Sequence, residues 1–174
     1  LDVLRLSRAM TYKAAIAGLP LGGGKAVVIG DPATDKTEAL FRSLGRYVEA
    51  LGGRYIATED VGVTVRDVEW LSAETGYAVG LPISQGGSGD PSPPTAFTVL
   101  QAMKVCVQEK LESDSLKGRT VVIQGLGKVG FNLVHLLHEE GAKVVATDVN
   151  AQLVERAKLE MKVAAVKPED IYDV

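Results

Sequence analysis

"VVIQGLGKVG", residues 121–130, is the stretch whose reading decides the fold. It closes the β-branched run "RTVVIQ" and places Gly125, Gly127 and Gly130 at the spacing G-x-G-x-x-G. That string alone is a weak signal, and its flanks give it weight. Residues 129–140 continue in a helical pattern that stops at Gly141. "KVVAT" reads as a second buried strand with Asp148 at its end. "NAQLVERAKLEM" reads as a second helix capped by Asn150, and "VAAV" as a third strand. Strands and helices alternating over such short connections imply parallel pairing with right-handed crossovers. The fold class expected is therefore α/β, with a βαβαβ mononucleotide-binding half at its C-terminal end.

Each glycine of the loop has a separate physical task. Gly125 permits the turn, Gly127 lets backbone meet a pyrophosphate, and Gly130 lets helix pack against strand. The helix that starts here offers free N–H groups and positive dipole character to a doubly charged phosphate bridge. Leu126, Lys128 and Val129 belong to the same candidate cofactor-binding segment, with Lys128 expected to face water rather than pyrophosphate. Asp148 lies eighteen residues past Gly130, where an acid accepts hydrogen bonds from an adenosine ribose. Its charge repels a 2′-phosphate and no arginine stands beside it, so the expected cofactor is NAD rather than NADP.

Upstream, "LPLGGGKAVV", residues 19–28, sets three glycines before Lys25. With no Cβ, Gly22, Gly23 and Gly24 are free to adopt positive φ and to admit close approach. The expectation is a tight turn leading into a strand, "KAVVIG". Before it, Val3, Leu6, Met10 and Ile16 approximate helical spacing, with Gly18 as the stop and Lys13 on the helix. After it, Asp35 with Glu38 resembles a capping box for a helix carrying Leu40, Leu44, Val48 and Leu51, ended by Gly52 and Gly53. "RYIATEDVG" reads as a short β-type run ending in Glu59 and Asp60, and Thr64 with Asp67 starts a further helix. The Gly-, Pro- and Ser-rich "LPISQGGSGDPSPPT" marks a long loop and a domain boundary. The division expected is residues 1–92 as a substrate and catalytic domain lacking its start, and 93–174 as the first half of a dinucleotide-binding domain.

Composition narrows the class of partner. The chain has 174 residues, 46% hydrophobic and 24% charged, with a net charge of -3. Without a basic block no nucleic-acid partner is expected, because phosphate binding needs clustered Lys and Arg. No apolar run is long enough for a membrane span and no leader is evident. The single Cys106 forms no internal disulfide, which suits a reducing cytoplasm. His135 and His138 share a helix face, but too few further ligands accompany them, so no metal is expected. The chain opens on "LDVLRLSRAM" without an initiating Met and stops at "EDIYDV", which reads as part of a longer polypeptide.

A dinucleotide domain preceded by another domain suggests hydride transfer at a cleft near residues 81–94. The first domain would then supply chemistry, and its candidates are Lys13, Lys25 and Asp60. Two ammonium groups near one carboxylate suit an anionic substrate that carries an amine, with Asp60 exchanging protons with the departing amine.

Together "RAMTYKAAIAGLPLGGGKAVVIGDP", "GRYIATEDVG", "GGSGDPSPPTA" and "VVIQGLGKVG" resemble the Glu/Leu/Phe/Val dehydrogenase family over essentially the whole chain, most of all its leucine and phenylalanine members. The resemblance implies NAD-dependent oxidative deamination of an apolar L-amino acid, of leucine, valine or isoleucine type, to a 2-oxo acid and ammonia. It implies that Lys13 holds the substrate carboxylate, with Gly23 and Gly24 letting substrate lie against bare backbone. By the same resemblance Lys25 activates the attacking water, Asp60 moves the amine protons, and Thr95 stands near the nicotinamide. A homo-oligomer is implied as well. Asp90 and Pro94, where leucine members often show Asn and Val, keep phenylalanine open as a substrate. A nucleotide-binding piece without turnover is the other reading.

Overall fold

Six α-helices and three short strands follow one another along the computed structural model, which describes residues 1–174. The chain forms two units, Leu1–Asp90 and Pro91–Val174.

In the second unit, β1 (Thr120–Gln124), β2 (Lys143–Thr147) and β3 (Ala164–Ala165) form a parallel sheet in the order β1-β2-β3. The register sets Thr120 opposite Lys143, Gln124 opposite Thr147, and Val145 opposite Ala164. Helix α5 (Lys128–Glu139) connects β1 to β2, and α6 (Ala151–Met161) connects β2 to β3. The α/β reading of this half therefore holds. Two edges differ by a residue or so: the helix after the glycine loop starts at Lys128, and of "VAAV" only Ala164 and Ala165 are in ladder register.

The amphipathic pattern of α5 explains the packing. Leu133, Val134 and Leu137 recur at helical spacing, and all three are buried with Ile123, Val144 and Ala146 from the strands. Each such side chain contributes about 1.5–3 kcal/mol by leaving water. Helix α4 (Ser92–Leu111) adds Ala96 and Leu100 to this core, with Val99, Met103 and Val107 packed against it. Asn150 caps α6, its side chain accepting the N–H of Gln152, and Gly141 closes the turn after α5 at φ +74°.

The first unit holds α1 (Asp2–Ile16), α2 (Glu38–Ala50) and α3 (Val65–Ser72). Its small core is Val48, Ala57 and Leu71, flanked by Leu44, Tyr55, Tyr77 and Ala78. Three expectations need correction here. "KAVVIG" is not a strand: its chain runs without a ladder partner, leaving Val27, Val28 and Ile29 exposed. β-type composition gives a strand only when a second backbone edge supplies hydrogen bonds, and none lies alongside. "RYIATEDVG" pairs at one point only, where Ala57 bridges Ala78 in parallel. Finally, α2 is capped by Thr37, whose hydroxyl accepts the N–H of Leu40, and not by Asp35. Asp35 instead accepts the Asp31 N–H and the Thr34 hydroxyl, closing the preceding turn.

The Thr64–Asp67 capping box of α3 is present as expected, and it is also an ion-pair site. Asp67 Oδ2 accepts from the Thr64 N–H at 2.7 Å, the Thr64 hydroxyl at 2.9 Å and Lys36 Nζ at 2.6 Å. Burial alone would raise the Asp67 pKa. The hydrogen bonds from Lys36 and Thr64, together with the Lys36 charge, outweigh burial and hold it below its ordinary value. A carboxyl whose folded pKa is depressed stabilises the fold above its unfolded pKa of about 3.9, and that stability disappears as pH falls through the folded value. Asp67→Ala should therefore cost about 2 kcal/mol near neutral pH, the scale of a lost cap and charge-assisted bond. The deficit should shrink below about pH 4, as measured by urea unfolding at a series of pH values; a pH-independent deficit would contradict the assignment.

Candidate functional site

The triple glycine of the first unit is built for close approach rather than for unusual dihedrals. None of Gly22, Gly23 and Gly24 has positive φ, which corrects the conformational expectation. A Cβ on Gly23 would lie 1.9 Å from the Ser7 carbonyl oxygen and 2.4 Å from the Thr11 amide nitrogen, both on α1. The Gly23 N–H donates to Thr11 Oγ1 at 3.0 Å, while that hydroxyl donates to the Ser7 carbonyl at 3.1 Å. A Cβ on Gly24 would lie 2.9 Å from the Tyr55 ring. Burial pushes the Tyr55 phenol above its ordinary pKa, opposed by a hydrogen bond with the Ala26 backbone. The loop is thus seated on α1 on one side and on Tyr55 on the other. Only Gly22 has open space where a Cβ would stand.

So seated, the loop delivers Lys25 to an ion pair with Asp60. The Lys25 side chain is 21% exposed and that of Asp60 47%. Asp60 sits in the turn after the bridge at Ala57, where its Oδ1 accepts the Val61 N–H at 2.7 Å and its carbonyl accepts the Val63 N–H at 2.8 Å. Glu59 beside it is buried. Lys13 is exposed in the last turn of α1, where a cation suits the helix dipole, and its ammonium makes neither an ion pair nor a hydrogen bond. Within this unit the structure joins Lys25 to Asp60 and ties Lys13 to neither.

In the second unit the glycine loop has the geometry its spacing predicts. Gly125 turns at φ +103° and donates its N–H to the Thr147 carbonyl at 2.8 Å. Gly127 is the N-cap of α5, with nothing within 4 Å of a would-be Cβ and no side chain capping the helix. At Gly130 a Cβ would stand 1.9 Å from the Gly125 carbonyl oxygen, so only glycine allows the helix to sit on the loop. Leu126 is buried, Val129 half-buried, and Lys128 exposed. The Leu126 N–H donates to Asp148 Oδ2 at 2.6 Å, and the Asn150 N–H donates to Oδ1 at 2.7 Å. An ionised carboxylate has about four acceptor sites, so each oxygen retains capacity for a hydroxyl. Beside them lies a cavity of about 130 Å³ lined by Gln124, Gly125, Thr147, Asp148, Val149 and Pro168. Thr95 is exposed in the first turn of α4, and its hydroxyl donates to the Pro91 carbonyl at 2.7 Å.

Together, a bare helix N-terminus, an uncrowded Gly127 and a carboxylate with spare acceptor capacity fit a dinucleotide. Three residues escaped the sequence reading. Thr11 and Tyr55 seat the lysine loop through contacts 12 and 31 residues distant in sequence, which no local pattern encodes. Thr147 is the third: it looks like an ordinary β-former at the end of "KVVAT", yet its buried hydroxyl has no hydrogen-bond partner.

Comparison with known proteins agrees over both units. The family model described as Glu/Leu/Phe/Val dehydrogenase, dimerisation domain, matches residues 1–77. That described as Glutamate/Leucine/Phenylalanine/Valine dehydrogenase matches residues 86–168. Leucine dehydrogenase of Geobacillus stearothermophilus is 53% identical over 173 residues, 99% of this chain and 47% of that protein. Phenylalanine dehydrogenase of Lysinibacillus sphaericus is 46% identical over 178 residues, again 99% of this chain and 47% of the relative. The crystal structure of L-tryptophan dehydrogenase from Nostoc punctiforme superposes with a TM-score of 0.66 at 41% identity, covering 99% of this chain and 48% of that one. This chain thus spans about half the length of the relatives it matches. Two adjoining family models and identity near one half over almost every residue make the conclusion plain: the chain belongs to the Glu/Leu/Phe/Val dehydrogenase family.

Proposed function

We propose that this chain carries the reacting groups and the first half of the cofactor site of an NAD-dependent dehydrogenase that deaminates an apolar L-amino acid, reversibly, to its 2-oxo acid and ammonia. The observation that carries the reading is the Lys25–Asp60 pair, an ammonium brought by the anchored glycine loop to a carboxylate in the turn after Ala57. The substrate class is leucine, valine or isoleucine, since identity to the leucine enzyme exceeds that to the phenylalanine enzyme, 53% against 46%. Phenylalanine is the second reading.

In this account Lys13 pairs with the substrate α-carboxylate, its ammonium being exposed and uncommitted. When bound, the nicotinamide supplies the hydride acceptor for the substrate α-carbon. Lys25 polarises the water that adds to the resulting imine carbon, and Asp60 takes up and returns protons at the amine nitrogen as the carbon–nitrogen bond breaks. Gly23 and Gly24 serve by seating the loop that fixes Lys25, the side toward which a Cβ would project being taken up by α1 and Tyr55. The loop from Gly125 to Gly130 and the N-terminus of α5 cradle the pyrophosphate, with Leu126 and Val129 packed on the core below and Lys128 turned to water, while Asp148 receives the adenosine ribose and Thr95 lies toward the nicotinamide. The Asp148 charge favours NAD over NADP. The family description of residues 1–77 as a dimerisation domain supports a homo-oligomer. No helix is long and apolar enough to cross a membrane, and the site of action proposed is the cytoplasm.

Absorbance at the reduced-nicotinamide band, against a panel of L-amino acids, tests the reading on the protein that contains this chain. NADH should form with leucine, valine or isoleucine. Lys25→Ala should lower turnover by about 10²–10⁴-fold, the usual contribution of a proton-transfer or polarising group, with NADH affinity nearly unchanged. Undiminished turnover in that variant would contradict the mechanism.

The glycine loop gives a second test, because two of its positions should fail differently. Gly127→Ala meets open space and should fold with near wild-type stability while binding NADH at least about tenfold more weakly, since its methyl occupies the pyrophosphate side. Gly130→Ala forces its methyl onto the Gly125 carbonyl and should lose stability by about 1–3 kcal/mol. Thermal melting and equilibrium titration with NADH separate the two, and equal behaviour of the variants would count against the assignment.

A further inference from the structure

The Thr147 side chain is 1% exposed and its hydroxyl has no hydrogen-bond partner in the protein. This is costly by itself: a buried donor left unsatisfied forfeits its hydrogen bond to water, and valine would fill the same space in a strand without that penalty. The position is not arbitrary. Thr147 ends β2, pairs in register with Gln124, accepts the Gly125 N–H through its own carbonyl and immediately precedes Asp148. It also lines the cavity of about 130 Å³ together with Gln124, Gly125, Asp148, Val149 and Pro168, a space far above the ~15 Å³ that one water needs. That cavity opens where parallel α/β sheets take their ligands, at the carboxyl ends of the strands. Its walls are mostly apolar: Val149 and Pro168 offer surface suited to the face of a purine, Asp148 offers an acceptor, and the Thr147 hydroxyl stands at the wall closed off from solvent.

Resting on the dinucleotide reading above, we propose that Thr147 is a binding residue for the adenosine half of the cofactor: its hydroxyl, unmatched within the protein, completes its hydrogen bonding on the ligand in the cavity that Asp148 borders. A threonine reaches such a partner by a turn between staggered χ1 wells, with no change in backbone. Asp148 then reads the charge state of the ribose, and Thr147 adds a neutral hydrogen bond beside it. The hydroxyl is kept in a place where the unliganded fold would be better served by a methyl.

The test uses Thr147→Val and Thr147→Ser in the protein that contains this chain, with NADH titrated by fluorescence and AMP by calorimetry, and with melting of the unliganded proteins. Thr147→Val should melt no lower than the parent, and should bind both NADH and AMP about three- to tenfold more weakly, the worth of one neutral hydrogen bond. Thr147→Ser, which keeps the hydroxyl, should hold affinity within about twofold. Unchanged NADH and AMP affinity in Thr147→Val overturns the proposal, as does a clear loss of unliganded stability, which would mean the hydroxyl serves the fold. Weakened NADH with unchanged AMP also overturns it, because the contact would then lie outside the adenosine half. If the parent binds neither nucleotide, the dinucleotide reading fails and this proposal with it; if the parent binds and the valine variant matches it, only this proposal falls.

Discussion

One carboxylate ties the second unit together. Asp148 stands at the end of β2 and accepts an N–H from Leu126 in the glycine loop and another from Asn150 at the start of α6. Charge-assisted bonds of this kind are the stronger class of protein hydrogen bond, and here they couple the turn after β1 to the turn after β2. The loop cannot drift from the sheet without breaking the first of them. With Gly130 seated on the Gly125 carbonyl and Gly125 bonded to the Thr147 carbonyl, the N-terminus of α5 is fixed relative to both strands. The loop and the carboxylate are held at constant separation as a consequence, which is what the proposed pyrophosphate and ribose contacts require.

The first unit solves a similar problem with a different device. It must present a lysine on a loop, and loops are the mobile part of a fold. The solution is to remove side chains at Gly23 and Gly24 so that the loop lies directly on the backbone of α1 and on the Tyr55 ring. Thr11 adds a hydrogen bond by accepting the Gly23 N–H. Lys25, two residues further on, then meets Asp60 without a search through rotamers of an unanchored loop. In both units glycine acts chiefly through what it lets come near: of the glycines at 22–24 and 125–130, positive φ occurs at Gly125 alone.

This division also explains what could be read in advance. The parallel sheet, α5 and α6 with its Asn150 cap, and the Thr64–Asp67 box were all legible, because periodicity, caps and glycine stops are local in sequence. The roles of Gly125 and Gly130 were legible for the same reason. "KAVVIG" misled, since β-branched residues announce a strand without announcing its partner, and here Val27 to Ile29 find none. Asp35 misled because a turn aspartate and an N-cap look alike until the acceptor is known, and Thr37 is the residue that receives the Leu40 N–H. Thr11, Tyr55 and Thr147 were invisible, their significance lying wholly in contacts between distant segments or in the lack of one.

The most direct test of the central claim is the affinity of the protein containing this chain for NADH against NADPH, measured by calorimetry at low ionic strength. In the proposed reading the Asp148 carboxylate, held in place by two backbone amides, faces the ribose and repels a second negative charge there. NADH should therefore bind at least about tenfold more tightly, a difference of about 1.4 kcal/mol. Equal or tighter binding of NADPH would contradict the account, because the group proposed to organise the site would not then be facing the ribose.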